Sequence, residues 1–224
     1  MSVVIITRNR QPELTRTLRL MTALPERPAI FVVDNASADG SAAAASFAGV
    51  EVIRSERNLG AVGRNVAGGR VVTRYVAFCD DDTWWDPGAL RQAADLLDSC
   101  PPLACVTAKI LVEPGATEDP IVPELRDSPL HRPAWLPGPA LVSMLAGASM
   151  FRSQAFRQVG GFSPRLRLGG EEELLGLDLA SAGWWMCYAD NVVVHHLASA
   201  VRDPLRRRIL GSATRCGPPG CAVR

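Results

Sequence analysis

The chain has 224 residues, 47% hydrophobic and 21% charged, with 24 basic groups against 23 acidic ones. That length supports one well-cored domain. Ordinary apolar content with a near-zero net charge excludes low-complexity disorder and a protein that seeks nucleic acid by charge.

In chain order, residues 3–7 read as a strand and 12–23 as a helix with Leu14, Leu18 and Met21 on one face. Residues 29–34 make a second strand, 41–47 an alanine-rich helix, 50–54 a third strand and 60–70 a glycine-interrupted helix. A fourth strand follows over 74–79, then a helix over 87–97 with Pro87 in its first turn and Asp86 as its N-cap. Short, continuously apolar strands alternating with helices imply an α/β fold, a mostly parallel sheet covered on both faces. Ligands of such sheets sit beyond the carboxyl ends of the strands, so polar clusters there are the candidate sites.

The second half reads differently. Residues 103–112 form a strand, but 114–139 carry seven of the 17 prolines and read as a long loop or lid. Apolar structure resumes over 141–151, and a short helix over 154–159 is stopped by Gly160-Gly161. A helix over 171–182 turns Leu174, Leu175 and Leu179 inward, and 185–188 and 192–194 are strand-like. One domain over 1–210 is expected, with a nucleotide-binding half (1–100) and an acceptor and catalytic half (101–200). No apolar run approaches the roughly 18 residues of a membrane span, and the first apolar run follows Met1 too soon for a secretory signal. A cytoplasmic protein with six free, mostly buried thiols is the expectation. Residues 202–208 hold four arginines and one aspartate, a solvated basic helix or a segment drawn to anionic lipid at the inner membrane face. Residues 211–224 lack apolar periodicity. All basic residues but Lys109 are arginine, and one shifted frame through GC-rich codons turns this irregular tail into an amphipathic helix, so a frameshifted end is expected.

Asp80-Asp81-Asp82 follows a buried strand and precedes Trp84-Trp85-Asp86-Pro87. Three adjacent carboxylates repel one another unless a cation joins them. At the carboxyl edge of a parallel strand they suit Mg²⁺ or Mn²⁺ and a diphosphate. Asp34-Asn35 ends the second strand, where such groups hydrogen-bond a ribose or base, or merely open an Asx-turn. Gly60 and Arg64 lie in a glycine-rich helix start that favours an anion, although neither a P-loop nor a GxGxxG pattern is present. Glu171, Glu172 and Glu173 begin a helix after Gly169-Gly170; Glu173 reads as a dipole partner, and one of the others can serve as a general base. His195 and His196 end a strand, and period-two alternation lets only one of them face a metal. Trp84, Trp85 and Trp135 suit either sugar stacking or core packing.

Taken in order, these segments resemble the family 2 glycosyltransferases, inverting enzymes of the GT-A nucleotide-sugar fold, and in particular a rhamnosyltransferase-like bacterial branch of cell-envelope polysaccharide assembly. The likeness runs from residue 3 to about 208. It rests on the opening segment 3–10, on 33–41, on Asn58-Leu59-Gly60 with Arg64-Asn65, on the DxD-like 80–82, on 147–152 and Gly160-Gly161-Phe162, on Gly170-Glu171-Glu172 and on the histidine pair. The resemblance implies transfer of a hexose from a nucleotide-diphosphate sugar to a glycan, lipid-linked or small-molecule acceptor. It implies that Thr7, Asn9, Asp34 and Asn35 hold the nucleoside. Gly60, Arg64, Asp80 and Asp81 would lie along the donor, with Mg²⁺ or Mn²⁺ on Asp82 and Asp80. Glu172 aligns with the family's base, with Glu171 second, and carries one methylene more than the commoner Asp. Counting eight residues from Tyr188 selects His196 over His195 as the metal ligand. Two other readings are a sugar nucleotidyltransferase, disfavoured because Thr7-Arg8-Asn9-Arg10 has no glycine, and an inactive nucleotide-sugar-binding protein.

Overall fold

A computed structural model describes residues 1–46, 50–166 and 169–198. The basic segment 202–208, the tail 211–224 with Cys216 and Cys221, and Phe47 at the end of the expected second helix lie outside the described residues.

The first half alternates strand and helix as its apolar runs predict. β1 (Ser2–Thr7) leads to α1 (Gln11–Thr22), β2 (Ala29–Asp34) to α2 (Ser41–Ala44), and β3 (Val50–Arg54) to a 3-10 turn (Gly60–Val62) and α3 (Gly63–Gly68). β4 (Tyr75–Asp80) is followed by a short edge strand, β5 (Thr83–Trp85), and by α4 (Ala89–Ser99). The second half contains β6 (Leu103–Val112), β7 (Thr117–Glu118), α5 (Val122–Arg126), β8 (Ser149–Arg152), α6 (Ser153–Gln158), α7 (Glu171–Ser181) and β9 (Trp185–His196).

Among the described residues the strands join in one sheet of order β3-β2-β1-β4-β8-β6-β9-β5, with β7 on β6. β3, β2, β1, β4, β6 and β9 share one direction, while β5, β7 and β8 run against them. Alternation along each strand feeds two cores. Val3 and Ile5 pack with Leu14, Leu18 and Met21 of α1 and Leu90 and Leu97 of α4. Val4 and Phe78 pack on the other face with Phe151, Phe156 and Phe162, and with Leu175 and Leu179 of α7. Helices on both faces leave the strand carboxyl ends as the polar rim of the sheet.

Several elements differ from expectation. α4 begins after Gly88, at φ 89°, rather than at Pro87, and Asp86 turns its carboxylate to His195 instead of capping the helix. β5 is a strand where only a motif was visible, because three residues pair with β9 across the chain. The two strand-like runs near the end are a single β9, which keeps its pairing with β6 through a register shift after Ala108↔Ala189, resuming at Lys109↔Val193. The proline-rich 114–139 contains β7 and α5. On α7 the inward face is Leu175, Gly176 and Leu179, with Leu174 only partly covered. Gly176 is there because a Cβ would meet the Val142 carbonyl oxygen at 2.0 Å. Cys79, Cys100, Cys105 and Cys187 are buried free thiols, as expected.

Candidate functional site

The register of the parallel strands aligns their last residues. Thr7 pairs with Asp34, Asp34 with Arg54, and Ile6 with Asp80. The polar residues after β1, β2 and β4 therefore form one rim.

On the β1–β3 side of that rim, polar groups largely satisfy one another. Asn9, in the left-handed region at φ 52°, accepts the Ala38 N–H at 2.7 Å, while its own N–H donates to Ser37 Oγ at 3.0 Å. Buried Asp34 accepts the Ser37 N–H at 2.9 Å, and its second oxygen lies 3.6 Å from Arg54 Nε. Asn35 donates to the Gly60 carbonyl at 3.3 Å and packs against Gly63, where a Cβ would come within 2.9 Å of Asn35 Oδ1. That Oδ1 is buried without a hydrogen-bond partner among the described residues. Asp34 Oδ2 is in the same position; a buried acceptor left open is costly unless a donor group arrives, so Asn35 and Asp34 are the residues of this set with unspent capacity. Thr7 spends its hydroxyl on Asp81, at 2.9 Å.

The three aspartates separate. Asp80 accepts from Arg64 Nη2 at 2.5 Å, and Arg64 is itself buried over the rings of Phe78 and Phe162. Asp81 is buried; desolvation pushes its carboxyl up to about 7, with Asp80 and Asp82 adding to the rise and Arg10 and the Thr7 hydroxyl opposing it. Asp82 is wholly buried, with Oδ2 at 3.3 Å from Arg10 Nη1 and Oδ1 at 3.8 Å from His196 Nε2. Thr83 Oγ1 accepts the Asp80 N–H and donates to the Gly147 carbonyl, pinning the turn after β4 to the segment before β8.

Glu172, at the start of α7, reaches the same rim. Its Oε1 accepts the Ala146 N–H at 2.6 Å. Desolvation pushes its carboxyl up to about 7; Ala146 N–H and Arg64 pull it down, while Glu171 and Asp80 push it further up. Asp80 and Glu172 thus act on one another across the turn 146–148, where Gly147 is required because a Cβ would lie 2.9 Å from Asp80 Oδ2. Glu171 keeps a buried Oε2 without a hydrogen-bond partner among the described residues, and Glu173 is exposed.

The histidines point to different places, as strand alternation requires. His196 faces Asp82. His195 stacks on Trp84 and engages Glu113 through Nδ1 at 2.9 Å and Asp86 through Nε2 at 3.2 Å. With both ring nitrogens on carboxylates, His195 is away from the aspartates. Asp80 likewise has one oxygen on Arg64 and the other against Gly147. Asp82 and His196 face each other at 3.8 Å and form the pair placed to hold a divalent cation. Among the described residues no three His, Cys, Asp or Glu side chains converge on a metal position. A hard carboxylate and an imidazole that leave the other positions to phosphate oxygens suit Mg²⁺ or Mn²⁺ bound together with a substrate. Of the tryptophans, Trp85 is core, Trp84 is taken by His195, and Trp135 packs edge-on against Trp185.

Sequence reasoning missed Arg10, Thr83, Ala146 and Gly147 as members of this site. Arg10 was visible only as part of a motif, Thr83 acts through its hydroxyl on two backbone groups, and Ala146 and Gly147 act through backbone atoms or a missing side chain.

Comparison with known proteins gives the family and the fold. The model of the family described as Glycosyl transferase family 2 matches residues 2–160. The chain is 30% identical over 240 residues to the N-acetylglucosaminyl-diphospho-decaprenol L-rhamnosyltransferase of Mycobacterium tuberculosis, covering 90% of this chain and 78% of the relative. Similar solved structures include mannosyltransferase PcManGT of Pyrobaculum calidifontis with GDP-Man and Mn²⁺ (TM-score 0.72, 19% identity, 96% of this chain and 64% of that one). Others are GalNAc-T7 with UDP, GalNAc and Mn²⁺ (TM-score 0.70, 18% identity, 88% and 43%) and residues 1–349 of TarS from S. aureus with UDP-GlcNAc (TM-score 0.70, 17% identity, 93% and 63%). This chain thus spans less than two thirds of the length of those solved chains. The sheet, the rim and the family match lead to one statement: the chain belongs to the family 2 glycosyltransferases and has their GT-A fold.

Proposed function

We propose that this protein transfers a sugar, with inversion, from a nucleotide-diphosphate sugar to an acceptor hydroxyl, with Glu172 as general base and a divalent cation at Asp82 and His196. The observation that carries this reading is the convergence of Glu172 and Asp80 on the turn 146–148. A carboxyl near 7, fixed at one oxygen by a backbone N–H, is poised for proton transfer at neutral pH.

Asp34 and Asn35 hold the nucleoside, with the buried Asn35 Oδ1 accepting from the base or ribose. Mg²⁺ or Mn²⁺, when bound, supplies positive charge that offsets the charge growing on the departing nucleotide diphosphate. Glu172 Oε2 takes the acceptor hydroxyl's proton as that oxygen bonds to the anomeric carbon and the bond from that carbon to the diphosphate breaks. Arg64 keeps Asp80 in place and stabilises the ionised form of Glu172. Glu171 stands beside the base as a second acid for the acceptor.

The mycobacterial relative supports a rhamnosyl donor and a lipid-linked diphosphate acceptor, and with them contact at a membrane surface. No helix among the described residues is long and apolar enough to cross a membrane. A thermal-shift screen of nucleotide sugars with and without Mn²⁺, followed by measurement of nucleoside diphosphate release, tests the reading. Stabilisation by one donor only in the presence of Mn²⁺, and release of its nucleotide, are expected. Binding without release by the intact chain would instead mark an inactive nucleotide-sugar-binding protein.

A further inference from the structure

Two arginines serve the aspartates in different ways. Arg64 is buried, at 2.5 Å from Asp80, and lies over the rings of Phe78 and Phe162. Arg10 is looser. Its Nη1 lies 3.3 Å from Asp82 Oδ2 and 3.8 Å from Asp81 Oδ1, beyond the roughly 2.7–2.9 Å of a formed charge-assisted bond. Its side chain is 23% exposed, above an Asp82 that is 0% exposed. The backbone of Arg10 is anchored: its N–H donates to Ser41 Oγ at 3.2 Å and its carbonyl accepts the Leu14 N–H at 2.9 Å. The side chain can therefore change partner without moving the loop.

We infer that Arg10 is the stand-in cation of the donor-free site: its guanidinium neutralises Asp82 until a divalent ion arrives with the donor, and then moves onto the donor's diphosphate. The inference rests on the proposed metal role of Asp82 and His196. A divalent ion and a guanidinium a few Å apart on one carboxylate repel each other strongly in a partly buried site. Metal alone must therefore displace Arg10 without compensation, whereas metal with a diphosphate gives the guanidinium a new bidentate partner. Metal and nucleotide consequently raise each other's affinity by the same factor, and Arg10 adds to that factor beyond direct ligation by the phosphate oxygens.

The test is a Mn²⁺ titration of the full chain, read by the electron paramagnetic resonance signal of free Mn²⁺, without nucleotide and with saturating UDP, GDP or dTDP. In the unmodified protein, the best nucleotide should tighten Mn²⁺ binding by about tenfold or more. Arg10→Gln should tighten binding of Mn²⁺ alone by several-fold and leave a smaller gain from nucleotide, while Arg10→Lys keeps more of that gain. Arg10→Gln binding Mn²⁺ alone no more tightly than the parent overturns the inference. If that variant fails to fold, the parent still decides, because equal Mn²⁺ affinity with and without every nucleotide overturns it. Mn²⁺ failing to bind under any condition removes the metal assignment itself, and Arg10's role with it. Nucleotide-dependent binding that ignores Arg10 removes only the latter.

Discussion

The two sides of the rim spend their polar groups differently. Beside β1–β3, Asn9, Asp34, Ser37 and Asn35 are tied to neighbouring backbone through short hydrogen bonds. Beside β4 and β9, charged groups face one another with looser pairing, and two carboxyls are pushed up to about 7 largely by burial. The first side is largely finished by hydrogen bonds to backbone, with the buried Asn35 Oδ1 and Asp34 Oδ2 left without a hydrogen-bond partner among the described residues. The second is loaded electrostatically and gains most from a ligand that brings charge. On the proposed function, the tied side takes the nucleoside and the charged side the groups between which bonds change.

That contrast makes graded predictions. Glu172→Gln should lower the rate of transfer by about 10³-fold while donor affinity holds, as measured by calorimetry beside initial rates; near-normal turnover would remove Glu172 from the role of base. Asp82→Ala should weaken Mn²⁺-dependent donor binding by about tenfold or more, with metal-independent nucleotide binding retained. Gly147→Ala should cost about 1–3 kcal/mol in denaturant unfolding and slow transfer as well, because the new Cβ meets the Asp80 carboxylate.

A smaller effect reports the loading of the second side directly. The folded Glu172 carboxyl sits near 7, above its ordinary 4.5. The native state therefore holds a proton there that the unfolded chain has released. Stability from the neutral form is full below the unfolded value and is lost as pH rises through about 7. Glu172→Gln, neutral at every pH, should accordingly gain stability relative to the parent at pH 8 but not at pH 4, by on the order of 2 kcal/mol in thermal unfolding. Equal effects at both pH values would mean the carboxyl is not desolvated. Least of all, Ser37→Ala on the finished side should cost about 1 kcal/mol of stability through the lost Asn9 N–H partner, with little change in transfer rate.

Much of the fold was legible in sequence where structure is local. β2, β3 and β6 have the boundaries their apolar runs predict, and Leu14, Leu18 and Met21 lie on the buried face of α1. The misses share a cause, since each depends on a distant partner. β5 is three residues long and exists only through β9. β9 looked broken at Ala189-Asp190-Asn191, yet Asp190 leaves the pairing to engage Lys109 and Arg126, and the strand continues. The same holds for the site. The aspartates, the glutamates 171–173 and the histidine pair were visible as residue types at the ends of elements, and the family resemblance singled out Glu172 and His196. That Asp80 belongs to Arg64, that Asp82 lies under Arg10, and that a backbone N–H fixes Glu172 are facts of tertiary approach that no spacing encodes.

The short turn 146–148 is where these approaches meet. Ala146 grips Glu172, Gly147 presses on the Asp80 carboxylate, and the Gly147 carbonyl receives Thr83. Three peptide units thus yoke the proposed proton acceptor to a carboxylate of the proposed donor side. On that proposal, an engineer who reshapes the donor pocket through this turn retunes the acceptor chemistry in the same stroke, and the two preferences are inherited as a pair.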